Sequence, residues 1–249
     1  MKSLIYILIV LFTSLTFSQN NAAFEKGNAL YNDGKFAEAI DNYKAILETG
    51  NHSSALYFNL ANAHYKLNNI APSIYYYEKA LQLAPNDPDI KNNMAFAKNM
   101  TIDAIETLPE GGLKKLTNKL TNMMGFDGWA ILAVVSVFCC VILFLMYYFA
   151  YTSAKKRLSF VGAFVFLGIM LIALSLAFHK YNLSQKNNPA IVFAKESKVK
   201  SEPNTRSEES FRLHEGTKVQ ILDTVDDWKK IKLADGKTGW IESEDIKAL

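Results

Sequence analysis

The sequence predicts a multi-domain chain: an all-α helical-repeat domain, a hairpin of two membrane-spanning helices, and a C-terminal all-β barrel. Three observations carry this prediction. Two stretches superpose on one another at a constant offset of about 34 residues. Two long runs contain no charged residue. From Ile191 onward the texture changes to short strand-like segments separated by turn residues.

At the start, Met1-Lys2, the apolar run Leu4–Phe12 and the small, polar stretch Thr13–Ser18 read as a secretory signal peptide over 1–18. Thr16 and Ser18 suit the positions three and one before a cleavage ahead of Gln19. An uncleaved anchor is the alternative, and either one exports the repeat domain behind it.

The repeats come next, within 20–108. Gly27 falls on Ala61, Phe36 on Ile70, Ala39 on Ser73, Tyr43 on Tyr77 and Ile46 on Ala80. Small residues let paired helices approach, and the aromatic and aliphatic positions fill the gaps between them. The first repeat runs from Asn20 to Thr49 and the second from Ser53 to Pro85. Asp87-Pro88-Asp89 then opens a capping helix whose Ala95 keeps register with Ala61. The pattern resembles the tetratricopeptide family, with departures at His64, where a tyrosine is common, and at Pro72, tolerable in a first helical turn. That resemblance implies a concave groove for a peptide or protein. The groove positions carry Asn28, Tyr31, Phe58, Asn62 and Tyr65, together with Phe24 and Phe96. Asparagine offers both a donor and an acceptor to a ligand backbone, and the aromatics offer apolar contact. For Phe24 and Phe58, packing against neighbouring helices is the alternative. No run of groove lysines resembles the carboxylate clamp of chaperone-binding members, so an acidic C-terminal tail is not the expected ligand.

Gly111-Gly112 interrupt any helix leaving the repeats. Over 113–124, Leu113, Leu116, Leu120, Met123 and Met124 recur at helical spacing, with Lys114, Lys115 and Lys119 elsewhere around the turn. This reads as an amphipathic juxtamembrane helix on a lipid bilayer, anchored by Trp129, or as a cap on the repeats. The predicted spans are 129–151 and 158–178, joined by a loop holding Lys155-Lys156-Arg157. The positive-inside rule puts that loop in the cytoplasm, and with an exported N-terminus both soluble domains are expected in the periplasm, at the inner membrane. Cys139 and Cys140 are adjacent within the first span and cannot both face one metal ion or form an ordinary disulfide. His52, His64, His179 and His214 are dispersed among different segments. No metal site, cofactor or catalytic constellation is expected, and the chain does not read as an enzyme.

The barrel is expected over 189–249, joined through a polar linker, Asn182–Asn188, that shares little folding energy with the repeats. Val219–Leu222 and Trp228–Leu233 suit strands, Asp235-Gly236 a turn, and Gly239-Trp240-Ile241 a further strand. Leu213–Val219 with Trp228 and Gly239-Trp240-Ile241 resembles the bacterial SH3-like barrel. Trp228 and Trp240 are the candidate partner-binding residues, forming an aromatic groove for a peptide or a cell-wall stem. Burial of both in the barrel core is the alternative.

Net charge is +3, and its distribution matters more than its sign. Residues 20–127 hold ten lysines against twelve carboxylates, and 189–249 hold eleven basic against twelve acidic residues. The excess of positive charge flanks the apolar runs, so nucleic acid is not an expected partner. The order of modules over the whole chain resembles the BatE family of the Bacteroidetes aerotolerance operon. That resemblance implies a membrane scaffold working beside von Willebrand A-domain membrane proteins, other members of the operon and a MoxR-type ATPase in stress or oxygen tolerance. A cell-wall sensor whose barrel binds peptidoglycan is the competing expectation.

Overall fold

The structure is a computed structural model and describes residues 22–106 and 111–249. The signal peptide expected over 1–18 lies outside the described residues. The chain divides into two compact units, one holding 22–106 and 188–249, the other 111–187.

In the first unit, five helices run in succession: α1 (22–32), α2 (Phe36–Glu48), α3 (Ser54–Lys66), α4 (Ile70–Leu83) and α5 (Pro88–Lys98). Local chemistry sets their ends. Ser53 caps α3 by accepting from the Leu56 amide, and Asp87 caps α5 by accepting from Asp89 and Ile90, with Pro88 in its first turn. The tight turns into α2 and α4 each place one residue in the left-handed region. Gly34 (φ 78°) does so in the first repeat and Asn68 (φ 60°), 34 positions later, in the second. The small positions are small for the expected reason. A Cβ on Gly27 would lie 2.5 Å from the Tyr43 ring, and the Ser73 hydroxyl donates to the Ala61 carbonyl at 3.0 Å across a closed helix pair. Tyr43, Leu60, Ile74 and Tyr77 fill the space between helices and are fully buried.

Seven strands complete this unit: β1 (Pro189–Val192), β2 (Glu196–Lys200), β3 (Glu209–His214), β4 (Lys218–Val225), β5 (Trp228–Lys232), β6 (Thr238–Glu242) and β7 (Ile246–Ala248). They form one antiparallel sheet in the order β3-β2-β6-β5-β4-β1-β7. Val192, Val199, Leu213, Val219, Ile231 and Ile241 lead its core. Gly239 is required where β6 crosses β2, because a Cβ there would lie 2.4 Å from Val199.

The expected linker is not a linker. Residues 182–186 are the end of a long helix, and the barrel is packed against the repeats. Strand β1 is buried on both faces: Ala190 and Val192 enter the barrel core, whereas Ile191 and Phe193 pack with α4 residues. Phe193 meets the Tyr75 ring edge-on at 5.7 Å, and the Lys247 ammonium sits 4.7 Å over the same ring. Gly216 (φ 88°) presses so closely on Ile70, Ile74 and Thr101 that a Cβ would come within 2.9 Å of each. Glu78 of α4 pairs with Lys218 at 2.7 Å and with Lys98 at 3.8 Å. After α5, Asp103 accepts from the His214 amide (2.7 Å) and the Thr217 hydroxyl (2.5 Å), and its other oxygen meets His214 Nδ1 at 2.7 Å. Burial pushes the Asp103 carboxyl up, but the hydrogen bonds from Thr217 and His214 outweigh it and hold the group below the usual aspartate value. Apolar burial and satisfied polar groups thus fuse repeats and barrel into one body.

The second unit holds α6 (Gly112–Thr121), α7 (Phe126–Phe149) and α8 (Ser153–Lys186). Helices α7 and α8 are long and apolar enough to cross a membrane, each containing an 18-residue stretch, of mean hydropathy 2.9 and 2.6 respectively. They pair through small residues, with Ala133, Ser136, Ser159, Ala163, Ala173 and Ala177 buried, while Ile131, Phe138, Phe144, Val161, Phe164 and Ile172 face outward. At about 1.5 Å per residue, α8 is roughly 50 Å long, more than a hydrocarbon core requires. Helix α6 belongs to this unit. The Trp129 indole N–H donates to the Thr121 carbonyl at 3.2 Å, and Lys180 donates to the Asn122 side chain.

Candidate functional site

Helices α1, α3 and α5 come together on one side of the repeats, and one hydrogen-bonded triad occurs there twice. In the first, Asn28 Oδ1 accepts from the Tyr43 hydroxyl at 2.8 Å and from Asn59 Nδ2 at 2.9 Å. In the second, Asn62 Oδ1 accepts from the Tyr77 hydroxyl and from Asn93 Nδ2 at 3.2 Å. All three members are shifted by the same repeat length. Burial pushes the Tyr43 phenol up to about 12 and raises that of Tyr77. Both are fixed donors that need an acceptor inside the stack. With Oδ1 so committed, the Nδ2 amide is what each groove asparagine has left for a ligand.

A pocket of about 160 Å³ opens at the second triad, lined by Tyr31, Asn62, Tyr65, Lys66, Tyr77, Asn93 and Phe96. Four of the seven expected groove residues, Tyr31, Asn62, Tyr65 and Phe96, meet there. The other three are elsewhere: Asn28 holds the first triad, and Phe24 and Phe58 pack on the helical core, their rings 6.0 Å from Tyr43 and 6.1 Å from Tyr77 respectively. Phe96 is 60% exposed at the pocket. Asn59, Asn93 and Lys66 are the residues that reasoning from sequence missed. The shift from Asn59 to Asn93 equals the repeat length and was available as a signal.

His64, the departure from the family pattern, is buried. It stacks on Tyr76 at 5.6 Å, its Nδ1 is 3.2 Å from Asn69 Nδ2, and its Nε2 has no partner among the described residues. Burial, with a contribution from Lys44, lowers its pKa to about 4, so the ring is neutral at pH 7.

On the barrel, Trp228 and Trp240 are half-buried and lie on the sheet face opposite the core. Core burial of both, the alternative reading of the sequence, is therefore corrected. The reason is strand alternation: Ile231, Gly239 and Ile241 take the inner face, which sends Trp228, Lys230, Trp240 and Glu242 outward. The register sets Lys200 and Lys230 on either side of Trp240, and the Lys230 ammonium is 5.8 Å from its ring centre. Trp228 stands between Val225 and Glu242. This is an aromatic patch ringed by charge.

Two family models match the chain. Residues 24–88 match a tetratricopeptide repeat model, and residues 196–247 match a bacterial SH3 domain model. Strand β1, which joins barrel to repeats, precedes the second match. No curated protein matches the chain. A crystal structure from Bacteroides ovatus ATCC 8483, described provisionally as a protein binding protein, aligns over 66% of this chain and 89% of its own. Its identity is 15% and its TM-score 0.22, too low to carry a structural conclusion.

Proposed function

We propose that this chain is a membrane-anchored protein–protein interaction scaffold that presents the repeat groove and the barrel to the periplasm. The observation that carries this reading is the pocket at the second triad, where Tyr31, Tyr65 and Phe96 surround the free amide of Asn62. Aromatic surface with a fixed amide suits an extended peptide, whose apolar side chains and backbone it meets together. The matches to two binding-module families support it, and helices α7 and α8, with large apolar side chains outward, support the anchor. In this reading the partners are von Willebrand A-domain membrane proteins and others of an aerotolerance or stress-related assembly of the inner membrane. The test is co-purification from solubilised membranes. Tyr65→Ala with Phe96→Ala should lose partners that the unsubstituted chain retains, with the thermal melt unchanged. Full recovery of partners overturns the groove. Reporter fusions at Leu249 and at Ala154 should report periplasm and cytoplasm respectively.

One observation favours a second reading, a cell-wall sensor: the outward placement of Trp228 and Trp240. Retention of the full-length protein on purified sacculi, lost on Trp240→Ala, would support that reading. Retention unaffected by that substitution would remove it.

A further inference from the structure

The barrel already holds a piece of peptide, and it belongs to this chain. Residues 101–106 leave α5 without regular structure and lie on the barrel. Asp103 takes three hydrogen bonds from His214 and Thr217, and two residues later Ile105 packs against the barrel core. The motif accepted is thus a carboxylate followed, after one residue, by an aliphatic side chain.

Beside this strap is a cavity of about 640 Å³, within the range of ligand pockets. Ile105, Val219 and Leu233 give it an apolar strip, and Lys98, Lys218 and Lys232 bring three ammonium groups. Lys98 and Lys218 share a single carboxylate, Glu78. Lys232 is exposed and has no ion-pair partner among the described residues. The one carboxylate in the lining, Asp103, is taken up by its own three hydrogen bonds. The wall is cationic beside an apolar strip, the complement of what the strap itself presents to the barrel.

We propose that this cavity is a binding site for a short acidic peptide in which carboxylates alternate with aliphatic side chains. Lys232 meets the carboxylate, and Ile105, Val219 and Leu233 take the aliphatic group. The site is separate from the concave groove and does not rest on the scaffold reading.

The probe is a fluorescein-labelled peptide of sequence Thr-Ile-Asp-Ala-Ile-Glu, matching the strap. Its control carries Asn and Gln in place of the two acids. Both are titrated into the full-length protein in detergent. The acidic peptide should bind saturably, weaken as salt rises, and bind at least roughly tenfold more tightly than the control. Lys232→Glu should weaken it by roughly tenfold or more, and Tyr65→Ala in the concave groove should leave it unchanged. If Lys232→Glu alters the thermal melt, Lys232→Gln replaces it and should weaken binding in the same direction. Equal affinity for the two peptides, no saturable binding, indifference to substitution at Lys232, or loss of binding on Tyr65→Ala would each overturn the proposal.

Discussion

Helices α2 and α4 occupy the same place in successive repeats and meet different surroundings. On α2, Asp41 and Lys44 point to solvent; 34 positions later, on α4, Tyr75 and Glu78 are buried against the barrel. The inward faces of the two helices do the same work, with Ile40 matching Ile74 and Tyr43 matching Tyr77, all buried. A repeat position can therefore keep its inner contacts while its outer face is re-specified for docking. The second repeat is a bearing surface on one side and a pocket wall on the other; the first lends Tyr31 to that pocket but leaves Asp41 and Lys44 of its outer face in solvent.

The largest break in that comparison should come from Tyr75→Ala. It removes a ring that is 8% exposed and clusters with Phe193 and the Lys247 ammonium, and it should lower the stability of the fused unit by about 3 kcal/mol. Asp41→Ala, at the matching site, should stay within about 0.5 kcal/mol. Thermal unfolding of the full-length protein measures both, and equal losses would erase the distinction between the two helices.

A second contrast is His64, whose counterpart in the first repeat is Leu30. The folded chain holds the neutral ring, with a pKa of about 4 against the ordinary 6.5. The stability this contributes is complete above pH 6.5 and is lost as pH falls through the window down to about 4. It amounts to up to about 3 kcal/mol. His64→Leu should flatten the stability curve across that window and change little at pH 7.5. Denaturant titrations at several pH values check it, and an unchanged slope would mean that His64 is charged in the folded state.

The two triads should respond alike to truncation. Asn28→Ala and Asn62→Ala each strand a buried tyrosine hydroxyl, at a cost of about 1–3 kcal/mol apiece. Only Asn62→Ala should also weaken partner capture, since only the second triad lines the pocket. Comparable loss of capture from both would extend the site to the first triad.

The repeat length made the helix pairs legible, because Gly27/Ala61 and Tyr43/Tyr77 state a packing rule twice. Asp235-Gly236 likewise marks a turn, and Gly236 has the positive φ such a turn requires (93°). The docking was not legible. Asp103 meets His214 across 111 positions of sequence, and nothing local to either residue announces the other. Some of it was available in disguise: three consecutive tyrosines, Tyr75 to Tyr77, cannot all face one side of a helix, so more than one side had to be covered. The outward tryptophans were also readable. Trp228 is three residues from Ile231, and strand alternation places those two on opposite faces. The triads were half legible, since the spacing repeats but the choice of acceptor depends on three-dimensional approach.

The smallest expected effect on stability belongs to Phe96, which continues the series of Asn28 and Asn62 at the same offset and closes it at α5. At this third place the chain carries an exposed aromatic, where the first two carry an asparagine bound to a buried tyrosine. Among the described residues of this unit, no helix follows the capping helix to supply a tyrosine, so the position is released from structural duty. An exposed phenylalanine contributes little to folding, and Phe96→Ala should change the melt by no more than about 0.5 kcal/mol. In the pocket, however, it is the most open apolar surface, and its loss should weaken partner capture more than Asn62→Ala does. Quantitative pull-downs of the two variants against the unsubstituted chain rank them. If Phe96→Ala captures partners normally while lowering the melt, the ring packs for stability, and the contrast between capping helix and repeats fails.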